Sequence, residues 1–149
     1  MKSELIHREN GLRTFALAFE PGEEVLEGIT GFAAGQGLDA AELTGLGAFS
    51  SATLGYFDLE KKDYERIPVG EQVEVLTLVG NIAAFQGEPR PHLHAVLGRR
   101  DGSTVGGHLL EARVRPVLEV VITESPGHLR RETDRETGLP LLAPRGQPG

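Results

Sequence analysis

What most constrains this chain is a change of hydrophobic period: one stretch repeats at helical spacing, and the residues after it repeat in twos. Val25, Leu26, Ile29, Phe32 and Ala33 recur as one face of a helix. Glu23 and Glu24 stand in its first turn, where the helix dipole favours acids, and Gly37 is placed to end it. Gly28, Gly31 and Gly35 weaken the helix, so packing must hold it. Before it, Leu12 to Phe19 alternates as a strand, with Phe15, Leu17 and Phe19 on one side, until Pro21-Gly22 breaks it. After it come strand patterns at Ala41 to Leu46, Ser51 to Leu59, Tyr64 to Val69 and Gln72 to Ala84, then His92 to Leu97, Val105 to Arg113 and Val117 to Thr123. Val73, Val75, Thr77 and Val79 face one way. Val117 to Ile122 is apolar except at Glu119, as in a strand buried on both faces. One helix with many consecutive strands predicts an α+β fold with a largely antiparallel sheet.

That domain is expected over residues 1–124. From Ser125 to Gly149 charge, Pro and Gly dominate, which predicts an extended or partly disordered tail with Leu139, Leu141 and Leu142 as anchors. No apolar run approaches the roughly 20 residues needed to span a bilayer. Met1 to Gly11 is polar and charged, unlike a signal peptide, so the cytoplasm is the expected location. The chain has no cysteine, which leaves only nitrogen and oxygen ligands for any metal.

The net charge of −7 weighs against nucleic acid, because non-specific DNA binding rests on clustered Lys and Arg. Arg99-Arg100 and Arg130-Arg131 lack interleaved aromatics and read as solvated charges. Gly45-Leu46-Gly47 opens like a dinucleotide fingerprint, but the third glycine is missing and a strand comes next, so it reads as a glycine-rich bend. No G-x-S-x-G elbow occurs. Arg145-Gly146-Gln147-Pro148 is similar to an AT-hook core, but Gln147 cannot supply the second positive charge to a narrow minor groove.

The histidines are different. His92 and His94 lie two apart in a strand and therefore on one face, while Leu93, Ala95 and Leu97 take the other. Asp101-Gly102 marks a hairpin, and the returning strand carries His108. A two-residue loop would turn His108 away from His94. A three-residue loop, Arg100-Asp101-Gly102, pairs Arg99 with Ser103 and hence His94 with His108, and it places Gly102 where a left-handed residue is wanted. This register, or another of the same parity, is predicted; in it the Cβ atoms of His94 and His108 would lie about 5 Å apart, with His92 diagonal. Gly106 and Gly107 keep the neighbouring wall small. Three neutral imidazoles meeting at a point suit a borderline divalent cation such as zinc, with an open position for water or substrate. Glu111 has the wrong parity to act as a base beside them. His7 and His128 are isolated and receive no role.

Gly80-Asn81-Ile82-Ala83, Pro91-His92-Leu93-His94-Ala95 and Gly106-Gly107-His108-Leu109-Leu110 together resemble the plant and prokaryote conserved (PPC) domain. Gly45-Leu46-Gly47-Ala48 and Leu54-Gly55-Tyr56-Phe57-Asp58 fit the same family, over about residues 10 to 125. The resemblance implies an α+β domain that forms a homotrimer, with a metal, often zinc, at the positions of His92, His94 and His108. The family is commonly labelled DNA-binding because plant members carry AT-hooks beside the domain, and this chain has none. Three functions are open on these grounds: a trimeric metal protein that binds or acts on a small molecule, a DNA-binding or transcription-associated protein, and a trimeric interaction scaffold.

Overall fold

The computed structural model describes residues 1–125 and 129–144. The elements in chain order are β1 (Lys2–Glu9), β2 (Leu12–Phe19), α1 (Val25–Gln36), β3 (Ala40–Asp58), β4 (Asp63–Val69), β5 (Val73–Phe85), β6 (Glu88–Gly98), β7 (Thr104–Glu124), β8 (Arg131–Thr133) and β9 (Pro140–Leu142). The first seven strands form one sheet in the order β1-β2-β7-β6-β5-β3-β4, and every strand pair is antiparallel. β3 also pairs with β7, so β7, β6, β5 and β3 close on themselves. The α+β reading holds, with one helix among the described residues.

Inside this closed sheet sit Leu43, Leu54, Leu78, Ile82, Leu93, Leu97, Leu109, Leu118 and Ile122, each 2% exposed or less. α1 packs against the same core through Val25, Ile29 and Ala33. Its start is held by Glu24, whose carboxylate accepts from the Glu27 amide at 2.7 Å and from the Ala112 amide of β7 at 3.0 Å. Gly37 ends the helix at φ 64°, with the Leu38 amide bonded back to Ala33 O at 2.9 Å. The Glu24 cap therefore also ties the helix to the sheet.

Several expectations change. The polar N-terminal stretch is an edge strand, β1, exposed along its whole length, so no apolar alternation marks it. The strands expected at 41–46 and 51–59 are one strand, β3, and those at 105–113 and 117–123 are one strand, β7. Irregularities in the β3 and β7 ladders, at Gly45/Gly47 and around Arg115-Pro116, interrupt the alternation without ending the strands. The Gly45-Leu46-Gly47 motif thus lies inside a bulged strand. At Gly47, where φ is 153°, a Cβ would stand 2.3 Å from the Val117 carbonyl oxygen of β7. A further bulge between Val75 and Thr77 inverts β5: Val73 and Val75 are buried, then Leu78 and Ile82, so Val79 turns outward at 44% exposure.

β7 is not covered on both faces within the chain. Leu118, Val120 and Ile122 point into the core, whereas Val117 and Val121 are exposed. Beyond Glu124 the described residues include two short strands. β8 and β9 form a two-stranded sheet, and the Ala84 amide of β5 donates to Leu129 O at 3.0 Å. Arg131 is 6% exposed, contrary to the reading of Arg130-Arg131 as solvated charges. His128 and the Arg145-Gly146-Gln147-Pro148 segment lie outside the described residues. No helix among the described residues is long and apolar enough to cross a membrane.

Candidate metal centre

The β6–β7 hairpin sets the site. The Arg99 amide donates to Ser103 O at 2.8 Å and the Gly102 amide to Arg99 O at 3.0 Å, enclosing the three-residue loop, with Gly102 at φ 83°. Asp101 closes the turn by accepting from the Ser103 amide at 2.9 Å and from its hydroxyl at 2.7 Å. His94 consequently pairs directly with His108.

His92, His94 and His108 converge. Each offers one ring nitrogen, and the three nitrogens lie within 4.8 Å of one another. The Nε2 atoms of His92 and His94 are 3.2 Å apart. Two nitrogens bound to one tetrahedral zinc at about 2.0–2.1 Å would stand roughly 3.3 Å apart, so this spacing suits a shared ion. Ring centroids are 5.1 Å apart for His92–His94, 5.0 Å for His92–His108 and 5.4 Å for His94–His108. His94 is exposed, and the other two are half-buried. His108 Nδ1 is buried and finds no hydrogen-bond partner among the described residues. Three converging imidazoles, one of them with a buried ring nitrogen left without a partner among the described residues, offer the nitrogen donors that a borderline cation uses.

Burial and neighbouring positive charge favour the neutral rings of His92 and His108. Burial, then the positive charges His92 and His94 can carry, then Arg90 and Arg131, push the His108 pKa down to about 4. Burial and the neighbouring Arg131 and His94 lower that of His92. Neutral imidazole is the form that donates a lone pair to a metal.

Two participants escape the sequence reading. Tyr64 of β4 stacks on His108, ring centroids 4.7 Å apart and planes 23° from parallel. It reaches there over Gly55, where a Cβ would come within 2.7 Å of its ring. Phe57 meets Tyr64 edge-on, ring centroids 5.1 Å apart. Arg131 is the second; it donates to Asn81 Oδ1 of β5 beside the cluster. Neither carries a local signal, since each arrives through a long-range pairing. Gly107 serves a purpose other than opening space: a Cβ there would lie 2.9 Å from Gly55 O, so the glycine lets β3 approach β7. Glu111 and His7 stay out of the cluster.

A cavity of about 730 Å³ begins at His92 and His108. It continues past Tyr64, Leu109 and Leu110 to α1 on one side and to the β8–β9 segment on the other.

The family model described as the Plants and Prokaryotes Conserved (PCC) domain matches residues 6–126. Among solved structures, a plant- and prokaryote-conserved protein from Pyrococcus horikoshii is 34% identical, with a TM-score of 0.84 over 90% of this chain and 93% of its own. A metal-containing protein from Archaeoglobus fulgidus is 33% identical, with a TM-score of 0.82 over 97% and 99%. A "putative dna binding protein" from Bacteroides thetaiotaomicron is 26% identical, with a TM-score of 0.86 over 95% and 96%. No curated protein matches this chain.

Proposed function

Because the chain belongs to the Plants and Prokaryotes Conserved (PCC) domain family, we propose that it is a metal-binding member whose three-histidine centre serves a small-molecule cleft. The observation that carries this is the convergence of His92, His94 and His108 with His108 Nδ1 left unpartnered. The likeness to a metal-containing protein from Archaeoglobus fulgidus supports it. Zinc is the ion proposed, since an all-nitrogen set without cysteine suits it.

In such a site the bound ion supplies Lewis acidity or lowers the pKa of a coordinated water. The protein's own part is positional. The hairpin register aims His94 and His108 at one point, Tyr64 fixes the plane of the His108 ring, and the cavity admits an organic ligand beside them. We further propose a homotrimer. The outward face of the closed sheet exposes Leu46, Leu76, Val79, Val96, Val117 and Val121, an apolar surface that association would cover.

Metal analysis of the purified protein after zinc loading tests the centre. One zinc per chain is expected, falling to background in a His94→Ala/His108→Ala variant that keeps its far-UV circular dichroism. Equal zinc in both proteins would refute the assignment. The DNA-binding reading is favoured by the naming of relatives from Bacteroides thetaiotaomicron and Ralstonia eutropha, and the net charge of −7 opposes it. Salt-dependent retention of duplex DNA would revive it.

A further inference from the structure

The cavity holds a charge that the three histidines do not explain. Two arginines line it, Arg90 of β6 and Arg131 of β8. Arg131 is 6% exposed, yet it pairs with no carboxylate among the described residues. Its Nη1 donates to Pro140 O at 3.2 Å and its Nη2 to Asn81 Oδ1, both neutral acceptors. Nε is buried without a partner among the described residues. A guanidinium carries five N–H donors, so most of this one's capacity is unspent. Burying a cation among neutral groups is costly unless an anion joins it. Arg90 is exposed, without an ion pair among the described residues, and adds its charge to the same cavity. The one carboxylate in the lining, Glu88, is exposed and bridges to neither arginine. A dication on the three histidines would raise the positive potential further.

The rest of the wall is largely apolar. Leu26 of α1, Leu109 and Leu110 of β7, and Leu139 and Leu141 of the C-terminal segment surround the space. Its volume of about 730 Å³ far exceeds what an inorganic anion fills and lies in the range of organic-ligand sites.

We propose that this cavity binds a small organic acid, its carboxylate docked on Arg131 with Arg90 in support and its aliphatic body against the leucines. The acid's far end lies toward His92 and His108. The proposal rests on the metal reading for the role of that far end, and the carboxylate contact stands without it. Arg131 is then the residue that selects for acids, and the C-terminal segment is part of the site rather than an appendage.

The test uses the full chain, stripped with a chelator and kept in low chloride, titrated calorimetrically with isovalerate, with the isosteric neutral isovaleramide and with inorganic phosphate. Isovalerate is expected to bind at least about 10-fold more tightly than the amide, the scale of a charge-assisted hydrogen bond. Arg131→Gln is expected to abolish that preference, Arg131→Lys to keep part of it, and Arg90→Gln to weaken it about 3-fold. Should Arg131→Gln fail to fold, the acid-to-amide ratio in the wild type and the Arg131→Lys variant still decide. Equal binding of acid and amide, no binding of either, or an unchanged preference in folded Arg131→Gln overturns the proposal. Phosphate binding as tightly as isovalerate overturns the organic-acid assignment. Zinc loading of the same samples separates the two readings. Loss of acid preference in protein that still takes up zinc removes this one alone, and acid preference in protein that takes up no zinc on loading removes only the metal centre.

Discussion

At the residue scale, the centre depends on His92 and His108, whose burial beside positive charges favours the neutral ring. His108 has a folded-state pKa near 4, below the ordinary value of 6.5, because it is half-buried and faces other cations. At this residue the unfolded chain therefore binds more protons than the native one between these two values, so the contribution of His108 lowers stability as pH drops from about 6.5 toward 4 and adds no pH dependence above about 7. Thermal melts of metal-free protein across this range check it. Wild type is expected to lose melting temperature on acidification, and His108→Gln to lose less; parallel curves would contradict the assignment. Tyr64 belongs to the same scale. Tyr64→Ala is expected to leave the fold intact and weaken zinc binding several-fold by freeing the His108 ring, as removal of an orienting neighbour does. Zinc titration against a chromophoric chelator measures it. The histidines are legible in the sequence because a period of two and a glycine-marked turn are local facts. Tyr64 and Arg131 are not, because β3–β4 pairing and the Arg131–Asn81 contact bring them in from a distance.

At the element scale, bulges decide which side chains face where. β5 starts with Val73 and Val75 inward, and after the bulge at Val75/Thr77 it presents Leu78 and Ile82 instead. Simple alternation thus places Val79 in the core when it lies outside. Gly47 marks a close approach of β3 to β7. Gly47→Ala would put a methyl group 2.3 Å from Val117 O and force an L residue to φ 153°. The expected cost is about 2–4 kcal/mol, from steric overlap and backbone strain together. Chemical denaturation measures it, and a change under about 0.5 kcal/mol, the size of an ordinary surface substitution, would mean that the strands do not touch there. The long strands look like pairs of shorter ones in sequence for the same reason: Gly47 and Pro116 resemble terminators in isolation. Within β3 and β7 they are tolerated because neighbouring strands supply the remaining ladder.

At the scale of the whole molecule, the sheet closes through β3 and β7, yet it leaves aliphatic side chains on its outer face. Val117 and Val121 of β7, together with Val79 and Val96, form a surface that water disfavours. Light scattering is expected to return three times the chain mass. Val96→Asp/Val121→Asp, which alters only exposed positions, is expected to release folded monomers. A wild-type monomer would dismiss the trimer. Association would also account for the apolar run from Val117 to Ile122, because a surface covered by another subunit and a surface inside a core call for the same residues.

The amino-acid order alone determined the fold class, the helix with its glycine stop, the hairpin loop, and through that loop the facing of His92, His94 and His108. Each is set by spacing within a few residues, where backbone geometry leaves few choices. Tertiary structure decided the ring closure, the inversion of β5, the stacking of Tyr64 and the burial of Arg131 beside the cavity. Those depend on contacts between residues far apart in the chain, and no local pattern encodes which distant backbone will arrive, or at what register.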